Sequence, residues 1–134
     1  MSDVKLWGVR DVDNSKDIVL MDLDGTLAQP IDWDKGFDPA VIADPNLDVV
    51  AAMRQMRKAG YRAIIWTCRT SNHWGRDPMI QANSIHAWME KHELEYDGIL
   101  MHDKPLWSHY LCDNSFNADD WTSMLSKAGL GEEV

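Results

Sequence analysis

Two aspartates separated by one residue, Asp22 and Asp24, are the residues of this sequence best suited to chemistry. They stand at the end of a continuous apolar run that begins at Ile18, and Gly25 follows them and permits a sharp turn. A carboxylate can accept a phosphoryl group, which divides one difficult displacement into two easier ones. A second carboxyl two residues on can protonate the leaving oxygen and then activate water. The spacing therefore indicates a nucleophile and an acid–base group aimed at one point.

Polar residues also follow the other apolar runs that are predicted to be strands. In chain order these residues are Thr67 and Arg69, Asp103 and Lys104, and Asp113 and Asn114. Because ligands bind beyond the carboxyl ends of strands in open α/β sheets, all of them are expected at one edge. Three carboxylates together, from Asp22, Asp24 and Asp113, would repel one another unless a hard cation such as Mg²⁺ lay between them. A cation beside Lys104 and an arginine suits a phosphoryl group in transfer.

The elements that must position these residues alternate along the chain. The predicted strands are Ile18 to Leu23, Tyr61 to Thr67, Tyr96 to Met101 and Tyr110 to Cys112, with Val4 to Val9 as a further edge strand. One predicted helix runs from about Asn46 to Ala59. A second follows the predicted loop from Cys68 to Pro78 and runs to about His92, and the last helix starts after Asn117. Continuous rather than alternating apolarity favours strands covered on both faces. The pattern predicts an α/β fold of three layers, Rossmann-like, with a central parallel sheet and helices on both faces.

Length and composition fit one domain, residues 1–134, with 45% hydrophobic and 26% charged residues. No apolar stretch is long enough to cross a membrane, and the first residues lack the pattern of a signal peptide, so the expected location is the cytoplasm. The net charge of −9 disfavours extended electrostatic binding to the phosphate backbone of nucleic acid.

The run Asp22-Leu23-Asp24-Gly25-Thr26-Leu27 resembles the first motif of the haloacid dehalogenase (HAD) superfamily of phosphohydrolases. Thr67 resembles its second motif, Lys104 its third and Asp113 its fourth, in the same order. The resemblance implies a HAD-like fold with Mg²⁺ as cofactor. It also implies that Asp22 is the nucleophile and a metal ligand, and that Asp24 is the general acid/base and offers its backbone carbonyl to the metal.

The remaining roles follow from the same resemblance. Thr67 would hydrogen-bond the phosphoryl oxygens, Lys104 would neutralise charge at the nucleophile and the phosphate, and Asp113 would complete the metal site. Asn114 stands where related proteins often have a second aspartate, so that loop would supply one metal carboxylate.

Within the superfamily, residues 66–77 and 83–105 are similar to small phosphatases associated with capsular polysaccharide genes, in which an arginine also follows the second motif. The phosphatase domain of phage-type polynucleotide kinase is a looser match. Arg69 is accordingly a candidate substrate contact. Trp33 and Trp74, in the loops that flank the site, either stack on substrate or pack within their loops.

The space between Thr26 and Asn46 allows only a flap, and the space between Thr70 and Pro105 is filled by a predicted loop, helix and strand, which predicts a form without a cap domain. An open site would accept a bulky phosphate, or a partner subunit of a homo-oligomer would supply the lid. The leading hypothesis is a Mg²⁺-dependent phosphomonoesterase acting on a phosphorylated sugar or nucleotide. The alternatives are a polynucleotide 3′-phosphatase and a non-catalytic module that binds metal and phosphate.

Overall fold

The computed structural model of the protein describes residues 4–13, 17–30, 41–70 and 77–101, and the backbone of residues 115–116. Its elements in chain order are β1 (Leu6–Trp7), α1 (Val9–Asp13), β2 (Ile18–Met21), α2 (Leu47–Lys58), β3 (Arg62–Ile65), a 3₁₀ turn (Cys68–Thr70), α3 (Pro78–Lys91), β4 (Gly98–Leu100) and β5 (Ser115–Phe116). No helix among these residues is long and apolar enough to cross a membrane.

The strands form one parallel sheet in the order β1-β4-β3-β2-β5. From β2 the chain moves to β3 and then β4 on one side, whereas β5 lies on the other side of β2. The strand order therefore changes direction at β2, and the crevice at such a point is where open α/β sheets bind ligands. This topology confirms the predicted α/β fold with a parallel sheet, and it places the carboxyl end of β2 at the centre of the expected site.

Alternate residues of the central strands pack into two separate clusters, one on each face of the sheet, because successive side chains of a strand point to opposite faces. Val19 of β2 and Ile65 of β3 belong to the larger cluster, which also contains the apolar sides of α2 and α3. Leu20 and Ile64 belong to the smaller cluster, which includes Val12 of α1. Helices thus cover both faces, which gives the three predicted layers.

Helix α2 agrees closely with its prediction. The side chain of Asn46 accepts a hydrogen bond from Asp48 N and caps the first turn. Four apolar residues at helical spacing are buried against the sheet: Val49, Val50, Met53 and Met56. Gly60 follows the helix with a φ of +100°, a conformation that glycine adopts without strain.

Helix α3 is also as predicted. Asp77 caps it by accepting a hydrogen bond from Met79 N, and Pro78 occupies the first turn, where its missing N–H costs nothing. Ile85, Trp88 and Met89 are buried, as their spacing predicts. The indole N–H of Trp88 donates to Ala43 O at 3.1 Å, which ties the segment before α2 to α3.

The two ends of the chain depart from the predictions. The expected edge strand from Val4 to Val9 is reduced to β1, and the short helix α1 follows it, started by a hydrogen bond from Gly8 N to the Asp11 carboxylate. On the far side of β2 the described strand is β5, at Ser115–Phe116. The predicted strand from Tyr110 to Cys112 and the helix after Asn117 lie outside the described residues.

Candidate active site

Asp22 and Asp24 lie on a tight turn at the carboxyl end of β2. The carbonyl of Leu23 accepts hydrogen bonds from Thr26 N at 3.1 Å and Ala28 N at 2.9 Å. Gly25 has a φ of +79°, in the left-handed region that other residues rarely adopt. Leu23 and Leu27 are fully buried, so two apolar side chains anchor the turn, whereas Asp22 and Asp24 remain partly exposed.

The side chain of Asp22 is fixed by its own turn. Its Oδ1 accepts a hydrogen bond from Leu23 N at 2.8 Å. The β2–β3 ladder continues past Met21, whose carbonyl accepts from Trp66 N at 2.9 Å. Adjacent strands lie about 4.8 Å apart, so Asp22 lies beside the residues that follow β3.

Thr67 is buried at this end of β3, with 1% of its surface exposed. Its Oγ1 accepts a hydrogen bond from Arg69 N at 3.2 Å, and its carbonyl accepts one from the Thr70 hydroxyl at 3.3 Å. These two bonds hold the 3₁₀ turn against the end of β3. In the structure the Thr67 hydroxyl oxygen accepts a hydrogen bond within the turn, and its predicted contact with a phosphoryl group stays a prediction.

Arg69 forms a two-point ion pair with Asp24. Its Nε donates to Asp24 Oδ2 at 2.7 Å and its Nη2 to Asp24 Oδ1 at 2.9 Å. The side chains of Arg69 and Asp24 are 1% and 11% exposed. Nη2 also donates to Val41 O at 2.7 Å, which links the pair to the segment that leads into α2. The guanidinium thus joins three segments of the chain.

The substrate contact of Arg69 stays a prediction, and in the structure its guanidinium pairs with Asp24, the predicted acid–base residue. The strand register explains this pairing. Ile18 lies opposite Arg62 and Met21 opposite Ile65, a constant separation of 44 residues. Residues 45 apart, such as Asp24 and Arg69, are therefore brought close where the two strands end. The spacing of 45 residues is visible in the sequence, but its meaning becomes clear only when the register between β2 and β3 is known.

A second arginine–aspartate pair joins the same two strands at their other ends. Arg62 Nη2 donates to Asp17 Oδ1 at 2.6 Å and Arg62 Nε to Asp17 Oδ2 at 3.0 Å. These side chains are 39% and 50% exposed, so the two pairs share geometry and sequence spacing but differ in burial. The exposed pair is the natural control for the buried one.

A pocket of about 460 Å³ lies at the amino end of the sheet, around Asp97, and its lining contains none of the predicted site residues. Burial raises the pKa of Asp97, but hydrogen bonds from Arg57 and Ala63 N and the positive charges of Arg57 and Lys5 lower it more, so its pKa lies below the ordinary value. Nearby, burial and the charge of Glu90 raise the pKa of Tyr96 to about 12. This end of the sheet, with its ion pair between Arg57 and Asp97, lies opposite the end that carries Asp22 and Asp24.

The described residues therefore bring Asp22, Asp24, Thr67 and Arg69 to one edge of the sheet. The other predicted site residues lie outside the described residues: Trp33, Trp74, Lys104, Asp113 and Asn114. Within the described ranges no three His, Cys, Asp or Glu residues are grouped to hold a metal ion. A magnesium site would require Asp113, which precedes β5 in the sequence, and its place in that site stays a prediction.

No protein-family model matches the sequence, and no curated protein matches it. Among solved structures, a Vibrio cholerae protein known from its crystal structure is similar, with a TM-score of 0.54 and 24% sequence identity. The match covers 83% of this chain and 98% of the Vibrio chain. At that identity the likeness concerns the fold alone, and it agrees with an α/β, Rossmann-like architecture.

Proposed function

We propose that this protein is a Mg²⁺-dependent phosphomonoesterase of the HAD type, with Asp22 as the nucleophile. The observation that carries the proposal is the turn at the carboxyl end of β2, which holds Asp22 and Asp24 two residues apart at the point where the strand order reverses. The resemblance of residues 22–27 to the first HAD motif gives these two aspartates their roles.

In the first half of the proposed reaction, a carboxylate oxygen of Asp22 attacks phosphorus, and the bond between phosphorus and the ester oxygen breaks. Asp24 gives a proton to the departing oxygen, which leaves as an alcohol. In the second half, Asp24 takes a proton from water, and the water oxygen attacks phosphorus. The bond to Asp22 then breaks, which releases inorganic phosphate and restores both carboxyl groups.

The donor set fits Mg²⁺ in its chemistry, since this ion takes oxygen ligands and commonly one or two carboxylates. Asp22 and Asp113 would offer carboxylate oxygens. Arg69 engages both side-chain oxygens of Asp24, so the backbone carbonyl is the group that Asp24 would offer. When bound, Mg²⁺ would neutralise the charge of the phosphoryl group. Lys104 would supply a second positive charge in the proposed site.

The proposed substrate is a phosphorylated sugar or a nucleotide, reached without a cap domain. A polynucleotide with a 3′-phosphate is the second candidate, but the net charge of −9 disfavours it. The expected location is the cytoplasm, and a homo-oligomer in which a partner covers the site is compatible with a capless domain.

The test is release of phosphate from p-nitrophenyl phosphate and from a panel of sugar phosphates, nucleotides and 3′-phosphorylated oligonucleotides. We expect release that requires Mg²⁺, stops with a chelator and is abolished in Asp22→Asn. Asp17→Asn is the matched control, because Asp17 lies just before the same strand at the opposite edge and is half exposed. If the wild type releases no phosphate from any ester, the enzyme proposal fails and the non-catalytic module replaces it.

A further inference from the structure

The buried ion pair between Arg69 and Asp24 suggests a role for Arg69 that could not be inferred from its place after the second motif. We propose that Arg69 is a positioning residue that acts through Asp24, by fixing the direction in which the acid–base carboxyl faces. This inference rests on the proposed function, and it differs from the substrate contact expected for Arg69.

Burial argues against direct contact between Arg69 and substrate. The Arg69 side chain is 1% exposed, and its guanidinium is bound to both oxygens of Asp24 and to Val41 O. A substrate phosphate could reach the guanidinium only after these bonds had broken. Contact through Asp24, which is more exposed, requires no such rearrangement.

The geometry of the pair suits orientation. A guanidinium presents its donors in a rigid plane, so two parallel bonds to one carboxylate fix both the position and the rotation of that carboxylate. Arg69 is held in turn by its backbone bond to Thr67 Oγ1 and by its bond to Val41 O. Asp24 is therefore fixed by a residue that is itself held from two sides.

An acid–base group benefits from such a partner as long as it can still exchange a proton. Each carboxylate oxygen has two lone pairs, so an oxygen that accepts from the guanidinium keeps a second site for a proton. Proton transfer in the reaction depends on the correct orientation of the carboxyl, and small displacements reduce the rate strongly. Loss of Arg69 should therefore resemble a partial loss of Asp24.

The test compares Arg69→Lys, Arg69→Met, Asp24→Asn and the double variant Arg69→Met/Asp24→Asn on two esters. The first ester, p-nitrophenyl phosphate, has a leaving group that needs little protonation. The second, a simple alkyl phosphate, has a leaving group that must be protonated. A general acid contributes roughly 10²–10⁴-fold to such a step. We expect Arg69→Met to lower kcat/KM, which reports the transfer to Asp22, by about 10–100-fold on the alkyl ester and by less on p-nitrophenyl phosphate, without a rise in KM.

Arg69→Lys keeps the charge without the planar fork, so we expect an intermediate loss, and this variant serves if Arg69→Met does not fold. We expect the double variant to be no slower than Asp24→Asn alone, whereas Arg62→Lys in the exposed pair should retain wild-type rates. A raised KM on both esters, or losses that multiply in the double variant, would overturn the positioning role and leave the phosphatase proposal intact. A wild type inert toward every ester would overturn both.

Discussion

Breaking the buried pair between Arg69 and Asp24 at one partner should cost the fold far more stability than breaking its exposed counterpart. Arg69→Met removes a guanidinium that is 1% exposed and leaves the Asp24 carboxylate, 11% exposed, without its two bonds. Breaking a buried pair at one partner costs about 3–5 kcal/mol, because an uncompensated charge remains. Domains of this size have a total stability of about 5–15 kcal/mol, so this loss is a large share of it.

The assay is a urea titration followed by circular dichroism, which gives the free energy of unfolding and its slope. We also expect Arg69→Met/Asp24→Leu, which replaces both charges by apolar groups, to recover most of the loss. The control is Arg62→Met, which breaks a pair of the same geometry with exposed side chains, and we expect little change in its urea midpoint. Equal losses at Arg62 and Arg69, or no recovery in the double variant, would show that burial of the charges does not determine the cost of breaking the pair.

Three further outcomes are expected. The folded-state pKa of Asp97 lies below its ordinary value of 3.8, so the ionised carboxylate stabilises the fold above that pH, and this contribution is lost as pH falls through the folded pKa. The Tm of the wild type should therefore fall more steeply in acid than the Tm of Asp97→Asn. Gly25 and Gly60 have φ values of +79° and +100° with open space around both, so replacing either with Ala should lower the free energy of unfolding by about 1–2 kcal/mol. Of these two variants, only Gly25→Ala should also lower kcat. The Thr26 hydroxyl is buried and lacks a hydrogen-bond partner in the described part of the chain, so Thr26→Val should raise the free energy of unfolding by up to about 1–3 kcal/mol. Thr70→Val should lower it, because the Thr70 hydroxyl donates to Thr67 O.

Elements with a continuous apolar run or a helical period were predicted correctly from the sequence. Strand β2 has four buried residues in succession, and α2 begins and ends one residue inside its predicted bounds. Helix α1 was missed because five residues are too few to show a period, and its start depends on the contact between Gly8 and Asp11. Local patterns therefore determine the central elements but not the short ones at the edge.

The candidate site was predicted in part. The meeting of Asp22 and Thr67 at one edge follows from strand ends alone, which a sequence reveals. The pairing of Arg69 with Asp24 depends on the register between β2 and β3, and the register is set by packing across the whole sheet. The predicted roles of Lys104 and Asp113 stay predictions.

In the proposed reaction Asp22 takes the phosphoryl group during turnover. The most direct measurement mixes excess enzyme with a phosphate ester and Mg²⁺, stops the reaction in acid within one turnover, and locates added phosphoryl groups by mass spectrometry of the digested chain. We expect one phosphoryl group on the peptide that contains Asp22, removed by hydroxylamine and absent in Asp22→Asn. Phosphate release by Asp22→Asn at the wild-type rate, or a phosphoryl group on a different residue, would show that Asp22 is not the nucleophile.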